Sequence, residues 1–362
     1  MYTISQIASI IKAETFGKNV EDGVEHILLD SRKLLFPSAS IFFALSGPRR
    51  NGNLFIEELY NKAVRCFVVG EGFAEEETLK FSNAVFLRVT DVLQALQQLA
   101  AYHRQQFTIP VIGITGSNGK TIVKEWLYQL LQHDHNIIRS PKSYNSQIGV
   151  PLSVWQMNAH HTLGIFEAGI SQPDEMQKLA KIIAPTIGII TNIGEAHGEG
   201  FLNIRQKINE KLKLFVKADV LIYCADDPDL NETINSFKNN VRAGDDFELF
   251  GWSKKETTAV QIIAVETANA ETSVSAKWKE KTFSFKIPFT DTASVENAIT
   301  CCCVLLYTGI DPDIIADRML QLKPVEMRLE LKQGINNCSV INDSYSADIN
   351  SLTIALDFLQ QQ

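Results

Sequence analysis

The segment Thr115-Gly116-Ser117-Asn118-Gly119-Lys120-Thr121 carries residue types whose order could cradle a polyphosphate. An apolar run from Val111 to Ile114 leads into it, and a helical pattern from Ile122 to Gln132 follows. Gly116 and Gly119 let backbone N–H groups of the loop, including those of Ser117 and Asn118, turn inward toward phosphate oxygens. Lys120 can bridge terminal phosphates, and the Thr121 hydroxyl can sit on a magnesium ion. The helix start adds the positive end of its dipole. The loop is shorter than the common Gly-x4-Gly-Lys form, because Ile114 stands where that form has its first glycine.

Two further apolar runs end in polar residues. Phe166-Glu167-Ala168-Gly169-Ile170-Ser171 places Glu167 at a strand end, where a carboxylate suits a magnesium ligand beside a triphosphate. Thr191-Asn192-Ile193-Gly194-Glu195-Ala196-His197 places His197 in a glycine-flanked loop. A loop histidine is most often simply exposed, but this one follows a strand expected beside the phosphate loop. The helix beyond holds Lys207, Lys211, Lys213 and Lys217. Such lysines normally form a solvated face, although one of them could face the site with a shifted proton affinity.

These residues need a scaffold that brings strand ends together. From Val111 onward, short apolar runs alternate with helical patterns, which predicts a mostly parallel, helix-covered α/β sheet whose function collects at the carboxyl ends of its strands. The expected strands are Val111–Thr115, Leu163–Glu167, Ile187–Thr191 and Val220–Cys224. Shorter β-type runs follow near 247–251, 259–265 and 282–287, then a helix from Ser294 to Thr308. Residues 1–106 read as a small α/β domain. A helix capped by Ser5, strands near 26–29, 40–45, 66–69 and 84–89, and a helix capped by Asp91 mark it out. Residues 107–324 form the central domain. Residues 325–362 hold two β-type runs and the start of a helix, too little for a core, so they read as the opening of an incomplete third domain.

Composition narrows the classes. The 362 residues carry 34 basic against 42 acidic side chains, a net charge of −8. That argues against a general nucleic-acid or membrane-surface binder while allowing a local basic pocket. No apolar run is long enough for a membrane helix, and the N-terminus lacks a secretory pattern. The six cysteines form no Cys-x-x-Cys pair; three of them, Cys301 to Cys303, lie in an apolar helical stretch. Free thiols used as small hydrophobes point to a cytoplasmic location.

The motifs, in this order, resemble those of the Mur ligases. The phosphate loop, Glu167-Ala168-Gly169, Thr191-Asn192-Ile193 with Ala196-His197, and Ser294-Val295-Glu296-Asn297-Ala298 carry the likeness, which spans the whole chain. It is strongest to the branch that adds D-alanyl-D-alanine. Ile122-Val123-Lys124-Glu125, the segment from Tyr144 to Leu152, and Asp30-Ser31-Arg32 with Phe42-Phe43-Ala44-Leu45-Ser46-Gly47 favour that branch. The resemblance implies an N-terminal UDP-substrate domain, a central P-loop ATPase-type domain and a Rossmann-like C-terminal ligase domain. It implies cell-wall precursor synthesis: ATP-dependent amide formation between UDP-N-acetylmuramoyl-tripeptide and D-alanyl-D-alanine through an acyl phosphate, with two magnesium ions.

Roles follow position by position. Lys120 and the loop residues Gly116 to Thr121 would bind ATP. Asn297 would contact adenine, Arg328 the nucleotide phosphates and Asp343 the ribose side. Thr121 and Glu167 would hold one magnesium ion, and His197 with Lys211, carbamylated in the family, a second. Ser31, Arg32, Asn145 and Ser171 would meet the UDP-linked substrate. The resemblance also implies that such a chain can continue into an alanine racemase, though residues 1–362 show no racemase signature. A shortened third domain would lack its lid and turn over little by itself.

The chain departs from the family in Asn342-Asp343-Ser344-Tyr345-Ser346-Ala347-Asp348-Ile349, which replaces Asp-Asp-Ser-Tyr-Asn-Ala-Asn-Pro, and in Ser294, which replaces a histidine. Pro48-Arg49-Arg50-Asn51-Gly52-Asn53 replaces a more usual Asp-Gly-His. The alternatives are another Mur-type or related amino-acid ligase, and a nucleotide-binding scaffold without turnover.

Overall fold

A computed structural model describes residues 1–18, 23–47, 50–194, 200–328 and 330–344, with single positions 352, 355, 356 and 359. The chain divides into two compact units, one of residues 1–108 with 147–157 and the other of 109–146 with 158–362.

The first unit holds a five-stranded sheet in the order Glu14–Gly17, Val85–Val89, Cys66–Gly70, Ser40–Phe43, His26–Leu28. The first pair is antiparallel and the rest are parallel. The inner strands are continuous apolar runs because helices cover both faces. Ile41, Phe43 and Val68 pack with the helices Ile4–Ile11 and Val92–Gln105. Phe42, Phe67 and Phe86 pack on the other side with Ile56 and Leu59. The first helix is capped by Thr3 rather than Ser5. The Thr3 hydroxyl accepts from the Gln6 N–H while the Gln6 side chain accepts from the Thr3 N–H, a reciprocal box that Ser5 cannot make. Asp91 caps the second helix as expected. The segment 147–157 joins this unit through its own short helix, Gly149–Val154.

The second unit is built on one nine-stranded sheet. Its order is Ile137–Arg139, Leu163–Glu167, Val111–Thr115, Ile187–Ile190, Val220–Cys224, Glu248–Ser253, Val260–Ala268, Glu271–Trp278, Lys281–Ile287. Six neighbouring pairs are parallel; the last two are antiparallel. The short β-type runs of the sequence therefore extend the same sheet as a meander. Asn269 and Ala270, both at positive φ, close its first hairpin in two residues. The Ile137–Arg139 strand escapes periodicity because it has three residues.

Alternation along the strands decides which face meets which helix. Ile112, Ile114, Ile187 and Ile189 face the helices Lys120–Leu131, Thr292–Tyr307 and Pro312–Met319. Gly113 and Gly188 face the other way, where a Cβ would meet Pro185 and Phe215. The helix Thr292–Tyr307 is capped by Asp291 and is buried along most of its length, Cys301 to Cys303 included. Burial pushes all three thiols up, so they serve as core hydrophobes.

After Val111–Thr115 the chain runs to the sheet edge at Ile137, returns to Leu163, and then crosses to Ile187 on the opposite side. This reversal makes a crevice at the carboxyl end of Val111–Thr115, the usual place for a ligand in such a sheet. Among the described residues no helix is long and apolar enough to cross a membrane.

The helix Lys120–Leu131 is docked by its apolar side, with Leu127 completely buried. Leu127→Ala leaves a cavity there, and its expected cost is about 2–5 kcal/mol. Denaturant unfolding followed by tryptophan fluorescence checks this, since Trp126 and Trp252 lie in the same core.

Candidate active site

The glycine loop sits at that crevice. Gly116 and Gly119 adopt φ of +144° and +83°, values that L side chains avoid. There is no room for a side chain either: a Cβ on Gly116 would collide with Thr191 Oγ1, and one on Gly119 with the Asn297 amide. The loop is tied to the strand end beside it. Ser117 N–H donates to the Asn192 carbonyl at 2.7 Å, and Asn118 N–H to Asn192 Oδ1 at 2.8 Å. Gly194 N–H donates to Ser117 Oγ at 2.9 Å. The segment Thr191–Gly194 thus acts as a splint for the loop. The motif holding Thr191 and Asn192 does not reveal this role, because their partners lie more than 70 residues away.

Lys120 opens the helix, and its ammonium donates to the carbonyls of Gly116 and Ser117 at 2.9 and 2.7 Å. Thr121 Oγ1 lies 3.2 Å from Glu167 Oε2 and 2.9 Å from Ser143 Oγ. Glu167 is completely buried at the end of its strand. Asn145 Nδ2 also donates to Oε2, at 3.4 Å. Arg328 Nη2 donates to Ser143 Oγ at 3.2 Å. Residues from five segments, near 120, 143, 167, 192 and 328, therefore meet around one point. Asn297, on the helix Thr292–Tyr307, borders the loop at Gly119.

The lysines after the third strand correct the expectation of a solvated face. Lys207 and Lys211 are both only 3% exposed. Lys207 donates to the Gly194 carbonyl, and Lys211 Nζ to the Gly116 carbonyl at 3.1 Å. Burial, reinforced by the Lys120 and Lys207 charges, holds the Lys211 amine well below the ordinary lysine range. Lys213 pairs with Glu210 and Asp174, and Lys217 is exposed.

Other expected residues fall apart from this cluster. Ser171 is exposed and its N–H donates to Glu175 Oε2 at 2.7 Å. Asp343 follows the strand Ser339–Asn342, which pairs with Glu330–Gln333. His197 lies outside the described residues. Ser31 and Arg32 belong to the first unit. Ser31 is buried and its hydroxyl donates to Glu58 Oε2 at 3.3 Å, while Arg32 grips Asp30 through two nitrogens.

The donor set suits a hard divalent cation. A hydroxyl and a carboxylate oxygen face each other at hydrogen-bond distance, whereas the N–H groups of Ser117 and Asn118, expected to turn toward phosphate, are held by Asn192. Lys124, overlooked as a site residue in the sequence, lies completely buried with Nζ 3.0 Å from Glu167 Oε1. The signal was available: it stands one helical turn after Lys120, on the same face.

Comparison with known proteins gives a family. Residues 114–305 match the model of the Mur ligase middle domain. The UDP-N-acetylmuramoyl-tripeptide–D-alanyl-D-alanine ligase of Bacillus subtilis is 31% identical over 99% of this chain and 75% of its own length. The enzyme of that name from Haemophilus influenzae is 26% identical over 98% of this chain and 75% of its own. The fold superposes on MurF from Acinetobacter baumannii with a TM-score of 0.87 at 23% identity, covering 100% of this chain and 77% of that one. It also superposes on MurF from Thermotoga maritima in complex with ADP, with a TM-score of 0.78 at 21% identity, covering 93% of this chain and 75% of that one. At these identities the two structures establish the fold.

Two outcomes are expected. Gly119→Ala forces a side chain into the left-handed region and against Asn297, at a cost of about 1–3 kcal/mol. Thermal unfolding reads that loss, and calorimetry reads weakened nucleotide binding. Lys211→Met alters the pH dependence of stability. The unfolded lysine holds its proton up to about pH 10.4, whereas the folded one releases it at lower pH. Stability from this group therefore rises with pH toward the ordinary lysine value and falls as pH drops. The substitution flattens that rise, and melting temperatures measured from pH 7 to 10 check it.

Proposed function

As the chain belongs to the Mur ligase family, we infer that it is an ATP-dependent peptide ligase that joins D-alanyl-D-alanine to UDP-N-acetylmuramoyl-tripeptide in peptidoglycan precursor synthesis. The relatives bearing that name supply the substrates, and the loop geometry supports the use of ATP. The observation that carries the chemistry is Thr121 Oγ1 beside Glu167 Oε2, 3.2 Å apart, at the foot of the glycine loop.

The reaction must bring a carboxylate to a triphosphate although both are anions. The carboxylate oxygen attacks the γ-phosphorus, the bond to the β-phosphate oxygen breaks, and an acyl phosphate and ADP form. The amine of D-alanyl-D-alanine then attacks the acyl carbon and releases phosphate. We assign Lys120 and the loop residues Gly116 to Thr121 to the phosphates, whose developing charge Lys120 would offset on leaving the loop carbonyls that hold it here. Arg328, held near Thr121 and Ser143, adds a second cation. We assign Asn297, which borders the loop at Gly119, to the adenine end. Thr121 and Glu167 would hold a magnesium ion, which when bound adds positive charge to the transferring phosphoryl group.

We further propose that Lys211 is carbamylated. Burial favours the unprotonated form of its amine, and that form can attack carbon dioxide, forming an N–C bond and losing a proton. The product presents an anion able to hold a second magnesium ion with His197. Ser31, Arg32, Asn145 and Ser171 belong in this reading to the UDP-linked substrate, and Asp343 to the ribose. The first unit is a UDP-substrate domain, and the hairpin Glu330–Gln333 with Ser339–Asn342 opens a third domain. The free buried thiols suit a cytoplasmic enzyme.

Phosphate release with ATP, magnesium, the UDP-linked tripeptide and D-alanyl-D-alanine tests the reading. Release should require all four, and Lys120→Ala should lower it by about 10²-fold or more, the usual scale for a lost transition-state donor. ATP binding without release that depends on D-alanyl-D-alanine would sink the substrate assignment.

A further inference from the structure

Lys124 is completely buried beside the carboxylate of Glu167. Its ammonium faces four oxygens: the Ser140 carbonyl at 2.8 Å, the Lys142 carbonyl, Glu125 Oε1 at 3.1 Å and Glu167 Oε1 at 3.0 Å. An ammonium has three protons, so this shell leaves none for a phosphate. Lys124 is therefore not a second phosphate lysine.

What it does is divide the carboxylate of Glu167 into two different oxygens. Oε1 lies against Lys124 as an ion pair, without the alignment of a hydrogen bond. Oε2 is turned to Thr121 Oγ1 and Asn145 Nδ2. The same ammonium holds the loop that carries Ser143 and Asn145. Lys142 in that loop has φ of +50°, a strained value for a residue with a side chain, and its carbonyl points at Lys124. Ser140 Oγ accepts from the Glu167 N–H at 3.2 Å, closing the circuit.

A buried ion pair is a weak source of stability, since a well-packed apolar pair of similar size often does as well. A role in orienting a ligand explains the burial better, because outer partners of a metal carboxylate fix which oxygen is offered. We propose that Lys124 is a positioning residue. It pins Glu167 Oε1 and the Ser140–Asn145 loop so that Glu167 Oε2, Thr121 and Ser143 converge on one magnesium–nucleotide complex. This rests on the magnesium–nucleotide reading above.

The test is calorimetric binding of a non-hydrolysable ATP analogue across a magnesium series and in EDTA. Lys124→Met should raise the magnesium concentration needed to tighten binding by about 10–100-fold, the scale of outer-partner losses at metal sites. Affinity in EDTA should be unchanged, which a merely structural role would not produce. In a Glu167→Gln background, Lys124→Met should have no further effect. Lys124→Gln keeps a donor for the loop carbonyls without the charge, and should show the same magnesium dependence if Lys124→Met does not fold. An unchanged magnesium requirement overturns the proposal. So do an equal loss with and without magnesium, and the failure of both variants to fold. If magnesium fails to tighten binding to the unaltered chain, the metal reading itself falls and the proposal with it; an effect of Glu167→Gln without one of Lys124→Met overturns the proposal alone.

Discussion

Two opposite charges taken wholly out of water, Lys124 and Glu167, lie under the site, and much of its geometry follows from satisfying them. Desolvating both ions is costly unless every proton and lone pair finds a partner. The partners come from the helix after the glycine loop, from the loop 140–145 and from the strand Leu163–Glu167. These contacts, with Glu167 Oε1 held by the ion pair alone, tie three separate segments to one another. Removing one ion would strand the other, which is why this region tolerates few intermediate arrangements.

Above that pair the site is made cationic within an acidic chain. The net charge is −8, yet Lys120, Lys207 and Lys211 all direct their ammonium groups at carbonyls of the glycine loop or the Gly194 turn. Carbonyl dipoles keep the charges in place, and burial, reinforced by the Lys120 and Lys207 charges, lowers the proton affinity of Lys211.

The loop itself is held by fit as well as by bonds. Thr191, Asn192 and Asn297 occupy the volume where side chains on residues 116 and 119 would stand. The splint and the loop sit on neighbouring parallel strands, Ile187–Ile190 and Val111–Thr115. Their carboxyl ends are adjacent because the chain reverses its direction of strand addition there. Topology thus decides that a loop at residue 117 meets a turn at residue 194.

The sequence by itself determined the local pieces: the parallel α/β class, the strand before the loop, the glycine turn, Lys120 and Thr121 at a helix start, and Glu167 at a strand end. Each follows from nearest-neighbour chemistry, in which alternation, capping and turn residues act over a few positions. The tertiary structure decided what those rules cannot reach. It buried Lys207 and Lys211, which in sequence look like a solvated face, and it made Lys124 the partner of a carboxylate 43 positions away. It added the meander to the central sheet and gave the segment 147–157 to the first unit. Burial and proximity depend on how strands order themselves and which faces meet, and no short stretch of residues records that order.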